Sequence, residues 1–436
     1  MLVSANNQGQ AANASVYATG MSPDARYVVF TSAASNLPGA AATGIPEVYL
    51  RDTCYSLYSG EMPPCSPTTT MISVTPGGAP GNGPNADALV LLSGTDGAVS
   101  LGGQYAVFAS MATDLTASAL PNSPPLGIGI YVRNTCLGAP AGCQPATTLI
   151  SADANGDPVA TIGAVAMSAD GRYIADIEGT EVGQYNVVLH DTCAGAAAGC
   201  GPSARAITTG GMVSPFGSIG LSGDGSVVVY QSGLSGLPAV YAATTCAGEA
   251  AGCAPVITNL SGSIGPRSFG AVGLGFMFPA VSADGQWAAF SGAAGGSEIG
   301  EIWVTPTCAG AGSGCEPSPT PLTAVGGSPV PGQVSLGGTG RYIAFGGVPL
   351  GAEHSGLGST TIYVRDTCRG EPSGCTAATH AIAPADAIAE DPMLSEDGFE
   401  VVFTAVSVTA GAPADRTEVM MMPSGFEFAE PVAVNP

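Results

Sequence analysis

The chain has 436 residues, of which 64 are Gly and 35 are Pro while 45% are hydrophobic; turns are frequent, yet apolar material suffices for a large core, which excludes a disordered chain. All ten basic residues are Arg, set against 33 acids for a formal charge of -23, so no basic surface is available to track phosphates and nucleic acid and anionic membranes are excluded as partners. Short runs of Val, Ile, Tyr, Phe and Thr bounded by Gly and Pro read as an all-β chain.

The start, MLVSANNQGQ, carries no basic stretch followed by an apolar one, so no signal peptide is visible and the expectation is a segment of a longer secreted precursor. A turn-and-strand unit then recurs seven times: MSPDARYVVF (21–30), SLGGQYAVF (100–108), MSADGRYIA (167–175), LSGDGSVVVY (221–230), VSADGQWAAF (281–290), LGGTGRYIAF (336–345) and LSEDGFEVVF (394–403). Each is followed by a second apolar strand: EVYLRDTC, GIYVRNTC, NVVLHDTC, AVYAATTC, EIWVTPTC, TIYVRDTC and, without a cysteine, EVMMMPSG. Thr-rich segments such as TTTMISVT (68–75) and TTLISA (147–152) come next, and a small-residue strand precedes each turn. That makes four strands per unit. Seven such units predict a seven-bladed β-propeller of four-stranded antiparallel blades, a single domain over 1–436. Its blades are expected at 15–75, 97–152, 163–209, 217–260, 278–325, 332–384 and 391–436. The termini should close blade seven: residues 1–6 are its expected outer strand, and EPVAVN (430–435) competes for that edge. The longest nearly apolar stretch, 270–281, is too short to span a bilayer and contains Pro279, so no membrane insertion is expected.

The S-x-D-G-R-Y-x-x-F turn followed by an I-Y-V-R-D-T strand resembles the TolB-like, or WD40-like, β-propeller repeat, over essentially the whole chain. The resemblance implies the propeller fold. It also implies company that ranges from the periplasmic propeller of the Tol system through propellers attached to serine peptidases to extracellular bacterial proteins. The cysteines are a departure from that pattern.

Those twelve cysteines fall into six neighbouring pairs, Cys54/Cys65, Cys136/Cys143, Cys193/Cys200, Cys246/Cys253, Cys308/Cys315 and Cys368/Cys375, five of them seven residues apart. Regular, even pairing reads as disulfides formed in an oxidising compartment. Zinc would need closer thiolates and further ligands, and none of the three His stands beside a pair.

Asp24, Asp170, Asp224, Asp284 and Asp397 of the turns read as turn-formers, since chemistry would not be spread over equivalent hairpins. Trp287 and Trp303 align with tyrosines of the other units and read as packing between blades. Arg51, Arg133 and Arg365, followed by Asp52, Asp191 and Asp366 in the equivalent strands, suggest ion pairs or Asx turns. His190 stands in the place of Arg51 and reads as structural. His354, in the long 346–360 loop, is the candidate binding residue. Asp153, Asn155 and Asp157 alternate like the opening of a calcium loop, and an Asn-Gly turn explains them equally; no other cofactor is called for. No G-x-S-x-G or H-E-x-x-H motif is present.

In a propeller the Asp-Gly turns and cysteine loops share one face, and the variable segments 33–46, 75–97, 111–127, 260–278, 346–360 and 404–416 share the other. Loops on a rigid scaffold carry binding. The expected function is therefore a non-enzymatic, extracytoplasmic module, secreted, periplasmic or on the cell surface. It would recognise a protein or surface polymer as a monomer or part of a larger assembly. The alternative is a glycan-active hydrolase or lyase built on carboxylates such as Asp114, Glu353 or Asp391, whose mark would be two facing carboxylates about 5 to 9.5 Å apart at the channel mouth.

Overall fold

A computed structural model describes residues 1–40, 44–55, 65–84, 97–117, 120, 128–153, 155–181, 184–196, 199–210, 213, 218–232, 239–249, 252–264, 278–293, 300–311, 314–322, 327–349, 360–371, 374–382, 388–406 and 416–426. They form seven antiparallel sheets, six of four strands and one of three, each with its strands in chain order. This is the predicted seven-bladed propeller. Blade one comprises Val16–Met21, Tyr27–Ser32, Glu47–Asp52 and Thr68–Met71. Blade three comprises Ala160–Met167, Tyr173–Glu181, Gln184–Asp191 and Ser203–Ala206. Among the described residues no helix is long and apolar enough to cross a membrane.

Strand alternation builds the core between blades rather than within them. Tyr27 and Val29 pack with Val99, Ala106 and Phe108 of blade two, whereas Val28 and Phe30 pack with Val402, Val419 and Met421 of blade seven. Trp287 and Trp303 likewise join apolar clusters between neighbouring blades, as expected.

Blade seven has three strands of its own, Ala389–Leu394, Glu400–Val406 and Thr417–Pro423, and the N-terminal segment supplies the fourth. Leu2 pairs antiparallel with Met420. Val3 N–H donates to Val419 C=O at 2.8 Å and Met421 N–H to Met1 C=O at 2.9 Å. The competing segment 430–435 lies outside the described residues.

The Asp-Gly turn is built the same way wherever Ser and Asp are both present. Ser22 Oγ accepts the Tyr27 N–H and donates to Asp24 Oδ1, which also accepts the Arg26 N–H; the pattern recurs at Asp170, Asp224, Asp284 and Asp397. Each turn has five residues between its strands. Its left-handed position is Gly in six blades and Ala25 (φ 58°) in blade one. A Cβ at Gly103, Gly171, Gly225 or Gly398 would stand within 3 Å of Tyr27, Tyr105, Tyr173 or Tyr342 of the preceding blade. Turn glycine and strand aromatic are thus one fitting, repeated around the ring. Blade seven has Glu400 where the others carry Tyr, Trp or Val, and it is blade one, next in the ring, that carries Ala25.

Turns of neighbouring blades are also bonded through the backbone. Leu101 N–H donates to Ala169 C=O, Ala169 to Gly223, Gly223 to Ala283, Asp284 to Gly338, Gly338 to Glu396, and Glu396 to Pro23, at 2.6 to 3.0 Å. Six links join seven blades around the channel mouth. The seventh, from blade one to blade two, would need an N–H on Pro23, which proline lacks.

Beside each turn but that of blade seven lies a cysteine loop. Its bridges are Cys54–Cys65, Cys136–Cys143, Cys193–Cys200, Cys246–Cys253, Cys308–Cys315 and Cys368–Cys375, and no cysteine is left free. The first cysteine of every pair has φ between 54° and 63°. Where an Asp or Asn stands two residues earlier, at 52, 134, 191 and 366, its Oδ1 accepts that cysteine's N–H and holds the bend.

All six expected bridges are formed, and their surroundings differ at Cys143, Cys253 and Cys315. The bridges closed by Cys65, Cys200 and Cys375 lie against a carboxylate, from Asp52, Asp191 and Asp366. Cys143 instead has the amide of Asn134, whose Oδ1 is 3.9 Å from its Sγ. At the corresponding position the Cys253 bridge has Thr244, whose Oγ1 accepts the Val256 N–H at 2.8 Å, and the Cys315 bridge has Pro306. Neither Thr nor Pro supplies the Asx acceptor, so those two bends are held by the bridge without it.

Asp52, Asp191 and Asp366 also form ion pairs, but with Arg26, Arg172 and Arg341 of the turns rather than with the strand arginines Arg51 and Arg365 beside two of them, each pair in two hydrogen bonds of 2.7 to 3.0 Å; Arg133 is followed by Asn134 and has no such neighbour. In register, Arg51 and Asp52 point to opposite faces of one strand, so only the turn arginine reaches the carboxylate. Closing a loop of seven residues contributes roughly 2 kcal/mol by the chain-entropy estimate. Mass spectrometry of non-reduced, alkylated protein is expected to find only these six local bridges and no free thiol; an abundant distant pairing would contradict the fold as described.

Candidate functional site

The two faces of the disc differ in regularity. On the face with the turns, every connection between first and second strands has five residues; on the other, connections between second and third strands run from two residues in blade three (182–183) to eighteen in blade two (111–128). His354 and Glu353, in the connection between the second and third strands of blade six, lie outside the described residues. Asp114 is on the blade-two connection, where its Oδ1 accepts the Asn82 N–H at 3.0 Å. Asp391 sits at φ 54°, where the first strand of blade seven shifts register.

The first strands of all seven blades enclose a central cavity of about 250 Å³, walled by small and apolar groups such as Ala98, Ala166, Gly220 and Val281. Among the described residues Glu396 is the one charged side chain on its wall. Burial, then the charges of Asp24 and Asp397, push its carboxyl above the usual range. Neither Asp114 nor Asp391 lines this cavity. Of the sequence-predicted carboxylates, the two that are described, Asp114 and Asp391, are not brought together there.

Asp153, Asn155 and Asp157 lie in the link from blade two to blade three. Asp153 Oδ1 accepts the N–H groups of Asn155 and Asp157 at 2.8 and 3.0 Å, and Oδ2 accepts from Asn155 Nδ2. The same turn recurs elsewhere, with Asn6 Oδ1 accepting the N–H groups of Gln8 and Gln10 and Thr75 Oγ1 accepting that of Ala79. Three such links share a bridge across the turn, at Ala5/Ala11, Val74/Pro80 and Ala152/Pro158. Turn hydrogen bonding therefore engages both carboxylate oxygens of Asp153.

The cluster that sequence reasoning missed lies within blade three. Asp176 and Glu178, two residues apart on the second strand, share a face with His190 on the third. His190 Nε2 is 3.0 Å from Asp176 Oδ1 and 3.5 Å from Glu178 Oε1. Asp176 is 0% and His190 4% exposed. Burial works against charge on the imidazole, but the two carboxylates outweigh it and push His190 up to about 10; burial raises Glu178. The signal was in the repeat. Asp176 stands where the other units have Phe30, Phe108, Tyr230, Phe290, Phe345 and Phe403, and the third copy is cut one residue short of it when aligned on its turn alone. His190 does occupy the place of Arg51, as expected, and unlike Arg51, whose Nη1 bonds Thr69 Oγ1 and the Ala5 carbonyl, it faces carboxylates.

No protein-family model matches the chain, and no curated protein does. Among solved structures, an oligogalacturonate lyase in complex with manganese is similar at 12% identity over 94% of this chain and 90% of that one, with a TM-score of 0.50. TolB from Acinetobacter baumannii aligns at 18% identity over 69% of this chain, with a TM-score of 0.39. The BP39L lectin from Burkholderia pseudomallei aligns at 11% over 95% of this chain and 97% of its own, with a TM-score of 0.45. The chain spans 61% of the TolB it matches. At these identities the likeness is one of fold.

Proposed function

We propose that the chain is an extracytoplasmic binding propeller that recognises a protein or a surface polymer through its variable face. The observation that carries this reading is the contrast between the two faces. One is held to a constant length and bound by turn, ion pair and disulfide; the other varies ninefold in the length of its connections. A stapled frame presenting unequal loops is how scaffolds place recognition residues. The bridged cysteines support an oxidising compartment. The cavity wall supports binding over hydrolysis, since among the described residues Glu396 is its one charged side chain.

The experiment is a binding screen of the purified protein against a glycan array and envelope proteins. It is repeated with residues 40–45 and 121–127 each replaced by a Gly-rich tetrapeptide, which leaves the buried Ala34, Leu37, Ala112 and Leu115 in place. The expected result is a ligand whose affinity falls at least tenfold on shortening while the melting temperature stays within about 3 °C. Cleavage of an arrayed glycan that survives both deletions and is lost in Glu396→Gln would replace this reading with the enzymatic one.

A further inference from the structure

Blade three departs from the repeat at three positions that meet in space. Asp176 replaces the aromatic residue of the other six units, Glu178 replaces a small residue (Ser32, Ser110, Ser232, Gly292, Gly347 or Ala405), and His190 replaces Arg51. The aromatic partner goes too: Phe30, Phe108 and Phe345 stack on Tyr49, Tyr131 and Tyr363, whereas Asp176 is paired with Val188. Ile174, on the same face, packs against Val107 and Ile130 of blade two, so the cluster belongs to an apolar interface between blades. The surroundings call for another aromatic pair, and the sequence puts two carboxylates and an imidazole there.

One ligand atom from each of Asp176, Glu178 and His190 lies within 4.8 Å of the others. Asp176 Oδ2 is buried with no hydrogen-bond partner, and Glu178 Oε1, also buried, has only the 3.5 Å contact with His190 Nε2. With both carboxylates ionised, a single imidazolium leaves one negative charge uncompensated in a low-dielectric interface, and either a proton on Glu178 or a bound cation supplies the difference. We infer that Asp176, Glu178 and His190 form a binding site for one divalent first-row transition cation, with zinc the preferred occupant. A neutral imidazole and two carboxylates bring the charge of a dication to zero. Bonds of about 2.0 to 2.2 Å set ligand atoms roughly 3 to 3.6 Å apart, a spacing that small side-chain rotations reach from the distances observed. The nitrogen donor and the count of three protein ligands suit zinc or manganese rather than calcium, which prefers six to eight oxygens. Glu178, at 16% side-chain exposure, is the ligand nearest the variable face along its strand and opens the site to solvent there. The cation site is independent of the binding role proposed above.

The test uses the full, untagged chain, stripped with a chelator and dialysed, then titrated calorimetrically with zinc chloride, manganese chloride and calcium chloride in turn. The expected result is one zinc per chain, weaker manganese and no calcium, with the cobalt-substituted protein showing visible absorption. Asp176→Asn and His190→Gln should each weaken zinc at least a hundredfold. Asp176→Phe, which restores the aromatic of the other blades, should abolish binding while keeping the far-ultraviolet circular dichroism of the parent. Alanine at Asp153, Asn155 and Asp157 together should change nothing. A parent that takes up less than about 0.2 equivalents of zinc overturns the inference, as does zinc binding that persists in the folded Asp176→Phe variant or vanishes with the 153–157 substitutions.

Discussion

Deleting residues 1–7 is expected to lower stability by roughly 4 to 8 kcal/mol and to promote association through the bared edge of blade seven. Val3 is fully buried, and returning one such side chain to water costs about 1.5 to 3 kcal/mol. The segment also accounts for the backbone bonds to Val419 and Met421, for the Ser4 Oγ that accepts the Val419 N–H, and for the Ala5 carbonyl bonded by Arg51 and Thr69. Each lost bond is worth about 0.5 to 1.5 kcal/mol, and more where the abandoned partner stays buried. Arg51 is such a partner, at 5% exposure. The third strand of blade seven would become an unpaired edge, the feature that invites intermolecular pairing. Thermal denaturation with light scattering on the truncated chain checks this. A melting temperature within about a degree of the parent, with the protein monomeric, would mean that residues 430–435 can serve as the outer strand.

Gly398→Ala is expected to cost about 2 to 5 kcal/mol. At φ +82° the added Cβ would be 2.1 Å from Tyr342 Cδ2 and 2.4 Å from Cγ. Left-handed backbone costs a non-Gly residue about 1 to 2 kcal/mol, and forcing an atom into a packed site costs about 1 to 3 kcal/mol more. The two parts can be separated. Tyr342→Val removes the ring and imitates the Val227/Gly285 junction, where a Cβ on the glycine would approach no closer than 3.0 Å. The double variant should therefore be less destabilised than the sum of the singles, with a coupling of about 1 kcal/mol or more in chemical denaturation. Strict additivity would sink the claim that ring and glycine are one fitting.

The repeat made the fold legible because each copy encodes its own turn and strands, and seven agreeing copies average out local ambiguity. The closure by Met1–Ser4 was readable for the same reason: MLVSAN matches the fourth-strand segments of other blades. The partners of Asp52, Asp191 and Asp366 were not, because adjacency along a strand says little about which side chains share a face. The blade-three cluster escaped for a different reason. Its three residues are separated by up to fourteen positions and look, one at a time, like two strand acids and a histidine in an arginine's place; only the strand pairing brings them together. Much of the variable face depends on residues outside those described, and there the repeat has no pattern to read.

The backbone links at the channel mouth form an open chain and not a closed hoop, since Pro23 accepts from Glu396 and has no proton to pass on to blade two. Outward force on the rim, from anything pressed into the channel, is met by a turn-to-turn backbone hydrogen bond at six junctions and, among the described residues, by none at the seventh. Compliance is thereby expected to be greatest where blade one meets blade two, across the ring from blade five. Seven blades of almost equal construction so acquire a preferred direction of yielding, set by a single imino acid.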